Sequence, residues 1–150
     1  MDSAIYEEVK SKLIEYANNI GCSINFHGKQ YYYTPELNQI TVPARSKQSW
    51  IQCIGILHEL GHAQQQPTNI PAKSKQHKQC IIIELEYQAW IEASNIARQL
   101  ELFEYEEFHD VFYSEFTKHW SSYIKHIPTY TVTQTNWSIQ QYASRVTNST

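Results

Sequence analysis

Two histidines four residues apart, with a glutamate directly after the first, form His58-Glu59-Leu60-Gly61-His62, an HExxH pattern. On a helix, residues at i and i+4 share a face one turn apart, so both imidazoles can converge on one metal ion. Glu59 stands about 100° round the helix from His58, where a carboxylate meets a metal-bound water rather than the metal. The chemistry this spacing serves is hydrolysis by an activated water.

Catalytic zinc sites hold three protein ligands and leave one position for water, so a third ligand must come from elsewhere. The extended pattern of the metzincins needs glycine at 65 and histidine at 68; Gln65 and Thr68 exclude it. The remaining candidates are Glu84, Glu86 and His77. Glu84 and Glu86 lie about 200° apart on a helix, so only one of them can face the site. Ala89 and Ala93 follow Glu86 at helical spacing and form a strip narrow enough for a second helix to approach. A glutamate buried on such a face needs a charge partner, which a divalent ion supplies. Glu86 is favoured on these grounds, Glu84 is the weaker choice, and His77 is held in reserve as a loop histidine 15 residues beyond His62.

These residues require elements to position them. Residues 2–20 carry Ile5, Val9, Leu13, Tyr16, Ala17 and Ile20 at helical spacing, with Gly21 placed to end the helix. Residues 22–43 change to a period of two and read as a three-stranded antiparallel meander, closed by Pro43. The HExxH helix starts at Ser46 or Ser49, both suitable caps, and runs to Pro67. Gly61 inside it costs about 1 kcal/mol relative to alanine, which points to close approach of another backbone. Residues 68–79 read as a loop with a solvated lysine cluster (Lys73, Lys75 and Lys78), and a third helix covers 78–101. A fourth helix over 104–126 carries Tyr105, Phe108, Phe112, Phe116, Trp120 and Tyr123 as a core stripe. The polar tail 128–150 reads as a peripheral extension. The expected fold is therefore one α+β domain spanning 1–150.

Composition narrows the function. The 150 residues carry 12 Lys+Arg against 15 Asp+Glu, a net charge of −3, which disfavours nucleic acid and anionic membranes as partners. No apolar run approaches a membrane span, and the first residues lack a signal-peptide layout. Cys22, Cys53 and Cys80 form no CxxC pair and read as free thiols of a cytoplasmic protein.

The segments Ile56-Leu57-His58-Glu59-Leu60-Gly61-His62-Ala63 and Glu86-Tyr87-Gln88-Ala89-Trp90, followed by Ala93, resemble the two motifs of the ImmA/IrrE-type zinc metallopeptidases. This gluzincin-like family includes many small phage and prophage proteins, and the resemblance covers about residues 39–100. It implies a minimal zincin-like fold, one Zn²⁺ held by His58, His62 and Glu86, and Glu59 as the catalytic base on a protein or peptide substrate. The chain departs from the family pattern at Trp90, where many relatives carry Asp or Asn to orient a ligand histidine. Asn95, Gln88 or a backbone carbonyl are the candidate substitutes. Tyr87, His109, His119, His126 and several tyrosines are candidates for stabilising the oxyanion, and the Gln39–Val42 strand for pairing with an extended substrate. The alternative function is a catalytically inactive, metal-stabilised module that binds a regulatory protein.

Overall fold

A computed structural model of the chain describes residues 1–65 and 73–124. Helix α1 (Ser3–Asn19) starts on Asp2, whose carboxylate accepts the amide of Ala4 at 2.7 Å. It buries Tyr6, Val9, Leu13 and Ala17 and stops at Gly21, where φ is +72°. Strands β1 (Ser23–Gly28), β2 (Tyr32–Thr34) and β3 (Gln39–Pro43) follow, then helices α2 (Trp50–Ala63) and α3 (Lys75–Gln99). A short 3₁₀ turn at Leu102–Glu104 leads into α4 (Phe108–Ile124). The architecture is α+β, as the patterning predicts.

The sheet is mixed rather than an antiparallel meander. Its order is β1-β3-β2, with β1 parallel to β3 and β2 antiparallel to β3. Burial explains the centre position of β3: Ile40, Thr41 and Val42 are consecutive and all buried, so neither face of this strand meets water. The exposed and half-buried residues of β1 and β2 suit the edges. Because β3 is paired on both sides, it has no free edge for an added strand; β2 is the edge strand of that hairpin.

The helices differ from expectation at their ends. Helix α2 begins on Ser49, not Ser46, and its last residue is Ala63, short of the predicted Pro67. Helix α3 begins at Lys75 because Ser74 caps it, accepting the His77 amide at 3.0 Å; the predicted loop therefore ends earlier. The aromatic stripe of α4 is core as predicted, with Phe108, Phe112, Phe116 and Trp120 buried. His126 and the tail 128–150 lie outside the described residues, and no described helix is long and apolar enough to cross a membrane.

Two glycines of α2 set how closely its neighbours approach. A Cβ on Gly61 would overlap the carbonyl oxygen of Ala89 and lie 2.9 Å from its carbonyl carbon. A Cβ on Gly55 would lie 2.6 Å from the ring of Tyr31. The backbones of α2 and α3 therefore touch at Gly61, as its unfavourable position within a helix predicts. Gly61→Ala is expected to destabilise the protein by at least about 1–3 kcal/mol in urea unfolding, because the obstacle is backbone rather than a movable side chain. Cys22 and Cys53 are buried, and burial raises both thiols, that of Cys53 to about 12. At pH 8 a thiol reagent should modify the folded protein once, at the half-buried Cys80, and the denatured protein three times, as read by mass spectrometry.

Candidate metal centre

Helix α2 presents His58 and His62 one turn apart, and α3, held against it at Gly61, presents Glu86. Gly61 follows His58 by three residues and Ala89 follows Glu86 by three, so these two lie about one turn from the helix contact and His62 directly beside it. The two oxygens of Glu86 divide between the imidazoles: Oε2 is 2.8 Å from His58 Nε2 and Oε1 is 3.1 Å from His62 Nε2. The ligand atoms of these three residues lie within 4.8 Å of one another, the arrangement needed to hold a metal ion.

Burial and charge act against each other here. Burial pulls His58 below its usual pKa, only partly offset by its hydrogen bond to Glu86. A neutral imidazole is the form that ligates. At His62 burial acts in the same sense, but Glu86, Gln65 and Glu59 together outweigh it and raise the pKa. Burial pushes Glu86 upward, yet the two histidines hold its carboxyl well below the ordinary range, so it stays ionised. Glu59 is buried beside them, and desolvation, only partly offset by His62, lifts its carboxyl to about 7.

Three further groups hold the ligands in place. His62 Nδ1 is 2.9 Å from Gln65 Oε1, and the Gln65 amide in turn donates to the Leu85 carbonyl of α3. Gln65 follows His62 by three residues, a spacing that brings side chains together on a helical turn and that could have singled it out. Trp90 packs its ring on His58 with centroids 4.6 Å apart, while His58 Nδ1 is buried without a hydrogen-bond partner. His58 is thus oriented by packing rather than by a hydrogen bond at Nδ1. Tyr123 of α4 donates its hydroxyl to Glu86 Oε2 at 3.1 Å. Nothing in local spacing links Tyr123 to Glu86, since 37 residues separate them.

No protein-family model, curated protein or solved structure matches the chain. The other sequence candidates are not part of the cluster. Glu84 is exposed on the far side of α3. His77 lies nine residues before Glu86, about 13 Å along the helix axis, and its Nδ1 accepts the Lys73 amide at 2.9 Å. Asn95 and Gln88 are exposed, with Asn95 accepting from Arg98. Tyr87 stacks on Trp120 in the core, and His109 packs against Phe103. Of the candidate oxyanion donors within the described residues, His119, Tyr31 and Tyr123 line the smaller cavity beside the cluster, with the His119 ring parallel to that of His58 at 6.5 Å.

Two cavities flank the centre, of about 390 Å³ and about 730 Å³. Tyr31, Glu59 and Glu86 line both, so the cluster of His58, His62 and Glu86 stands between them. Glu86→Ala should abolish stoichiometric metal binding, whereas His77→Ala should retain it, measured by elemental analysis after dialysis. Gln65→Ala should weaken metal affinity about 10–100-fold in chelator competition, the usual effect of releasing a ligand histidine.

Proposed function

We propose that this protein is a zinc-dependent metallopeptidase that hydrolyses a peptide bond in a protein substrate. The observation that carries this reading is the openness of the site. Structural zinc sites are closed by four protein ligands, whereas catalytic ones leave a position free. Among the described residues the cluster comprises three ligands, and it borders two cavities. The donor set of two imidazoles and one carboxylate suits zinc, and the resemblance to the ImmA/IrrE-type peptidases supports the same choice.

His58, His62 and Glu86 would hold the ion, which supplies a Lewis acid that brings the pKa of a bound water toward about 7. Glu59 accepts a proton from the attacking water as its oxygen adds to the substrate carbonyl carbon. Glu59 then gives that proton to the departing amine nitrogen as the C–N bond breaks. A carboxyl raised by burial toward neutrality is suited to both tasks, accepting and returning one proton within a cycle. Tyr123 and Trp90 keep Glu86 and His58 in place during the exchange. The edge strand β2 contributes Tyr32 and Tyr33 to the larger cavity, so an extended peptide backbone can lie along it.

Purified without chelator, the protein should contain close to one zinc per chain. Iron in its place, or no metal, would overturn the assignment. Glu59→Gln should keep the zinc and lose hydrolysis of a casein or peptide-library substrate by at least about 100-fold, within the range ascribed to general-base catalysis. Loss of the zinc in that variant would instead make Glu59 a ligand.

A further inference from the structure

The smaller cavity contains a charged group that the hydrolytic chemistry leaves unused. Its walls include Ile51, Ile54 and Trp90, and its carboxylates are Glu59, Glu86 and Glu115. Among the described residues that line it there is no lysine or arginine. Glu86 is committed to the histidines and Glu59 to the water, which leaves Glu115. This residue precedes His119 by one turn of α4 and Tyr123 by two, and all three line the cavity. Since Tyr123 touches Glu86, the stripe leads away from the metal centre, and Glu115 lies about 12 Å along the helix from Tyr123. Its side chain is 14% exposed. Among the described residues the basic groups near it are Lys118 at 3.9 Å, itself 75% exposed, and the His119 ring at 3.8 Å. Neither contact is within hydrogen-bond distance, and an ion pair as exposed as that with Lys118 is screened by solvent.

Resting on the metallopeptidase reading, we propose that this cavity is a specificity pocket for a lysine or arginine side chain adjoining the scissile bond, with Glu115 as its counter-charge. The long aliphatic stem of such a side chain covers the apolar wall of Ile54 and Trp90, and the cationic head reaches the carboxylate. His58, Glu86 and Glu115 line this one cavity, so a side chain lodged beside the centre shares its space with the Glu115 carboxylate. An acidic side chain would instead bring a fourth carboxylate into a cavity lined by three and, among the described residues, by no lysine or arginine.

Digestion of a peptide library by the zinc-loaded protein, followed by mass spectrometry, should place Lys or Arg at one of the two positions flanking the cleaved bond. Glu115→Gln should reduce the kcat/KM ratio of a lysine peptide over its glutamine counterpart by about 10–100-fold, the worth of one charge-assisted contact. Hydrolysis without basic enrichment, or an unchanged ratio in Glu115→Gln, overturns the pocket and leaves the peptidase reading standing. Binding gives a second readout. Zinc-loaded Glu59→Gln should bind the lysine peptide about 10–100-fold more tightly than the glutamine peptide in calorimetry, and adding Glu115→Gln should remove the difference. Equal binding of the two peptides overturns the pocket. If no library peptide is hydrolysed, the peptidase reading fails and the binding preference alone decides the pocket. Should Glu115→Gln fail to fold, the wild-type enrichment decides it.

Discussion

The contact between Gly61 and the main chain at Ala89 governs the rest of this structure. Two helices carrying full side chains stay about 8–10 Å apart, and a glycine facing a backbone carbonyl allows the near end of that range or closer. At that separation Glu86 bridges both histidines directly. Any residue larger than glycine would push α3 outward and withdraw the carboxylate. Gly55 does the same for the other flank of α2, where Tyr31 lies against the helix and borders both cavities. The two glycines of α2 thus bring both walls of the cleft close to the histidines.

Electrostatics sets a second constraint. A carboxylate and two imidazoles enclosed together are costly unless charge and hydrogen bonds are matched. Glu86 meets this requirement with three partners, His58, His62 and Tyr123. Glu59, one residue along the helix from His58, lacks an equivalent set, and its carboxyl rises to about 7. Two glutamates at one site are thereby driven in opposite directions, Glu86 toward the ionised form and Glu59 toward the protonated one, by their surroundings alone. The support behind them is uneven: Gln65 fixes one imidazole by a hydrogen bond, and Trp90 fixes the other by packing.

The α4 helix combines two roles that its aromatic pattern alone does not separate. Phe108, Phe112, Phe116 and Trp120 fill the core behind α3, as their spacing indicates. Glu115, His119 and Tyr123 share the neighbouring face and line the cavity. Tyr123 belongs by spacing to the aromatic stripe, yet its hydroxyl serves Glu86. A tyrosine at the border of a core and a cleft satisfies both, with its ring among apolar neighbours and its oxygen on a polar partner.

Local physics was enough to read the helices, the pairing of His58 with His62, and the need for a small residue at 61. These follow from a 3.6-residue period and the cost of a glycine within a helix. That Glu86 rather than Glu84 lies beside the histidines was also legible, because Ala89 and Ala93 follow it at helical spacing and leave room for a second helix on its side. The start of α3 is not legible in the polar composition of residues 68–79, because one serine cap, Ser74, outweighs it. The sheet order could not be read from alternation, because a period of two says which face a residue takes and nothing about which strand lies beside it. Only the burial of both faces of Ile40–Val42 placed β3 in the middle. The partnership of Tyr123 with Glu86, and the position of Glu115 in the cavity wall, were likewise decided by tertiary packing. Spacing along the chain determines contacts within one helix, whereas contacts between helices depend on how closely their backbones can approach.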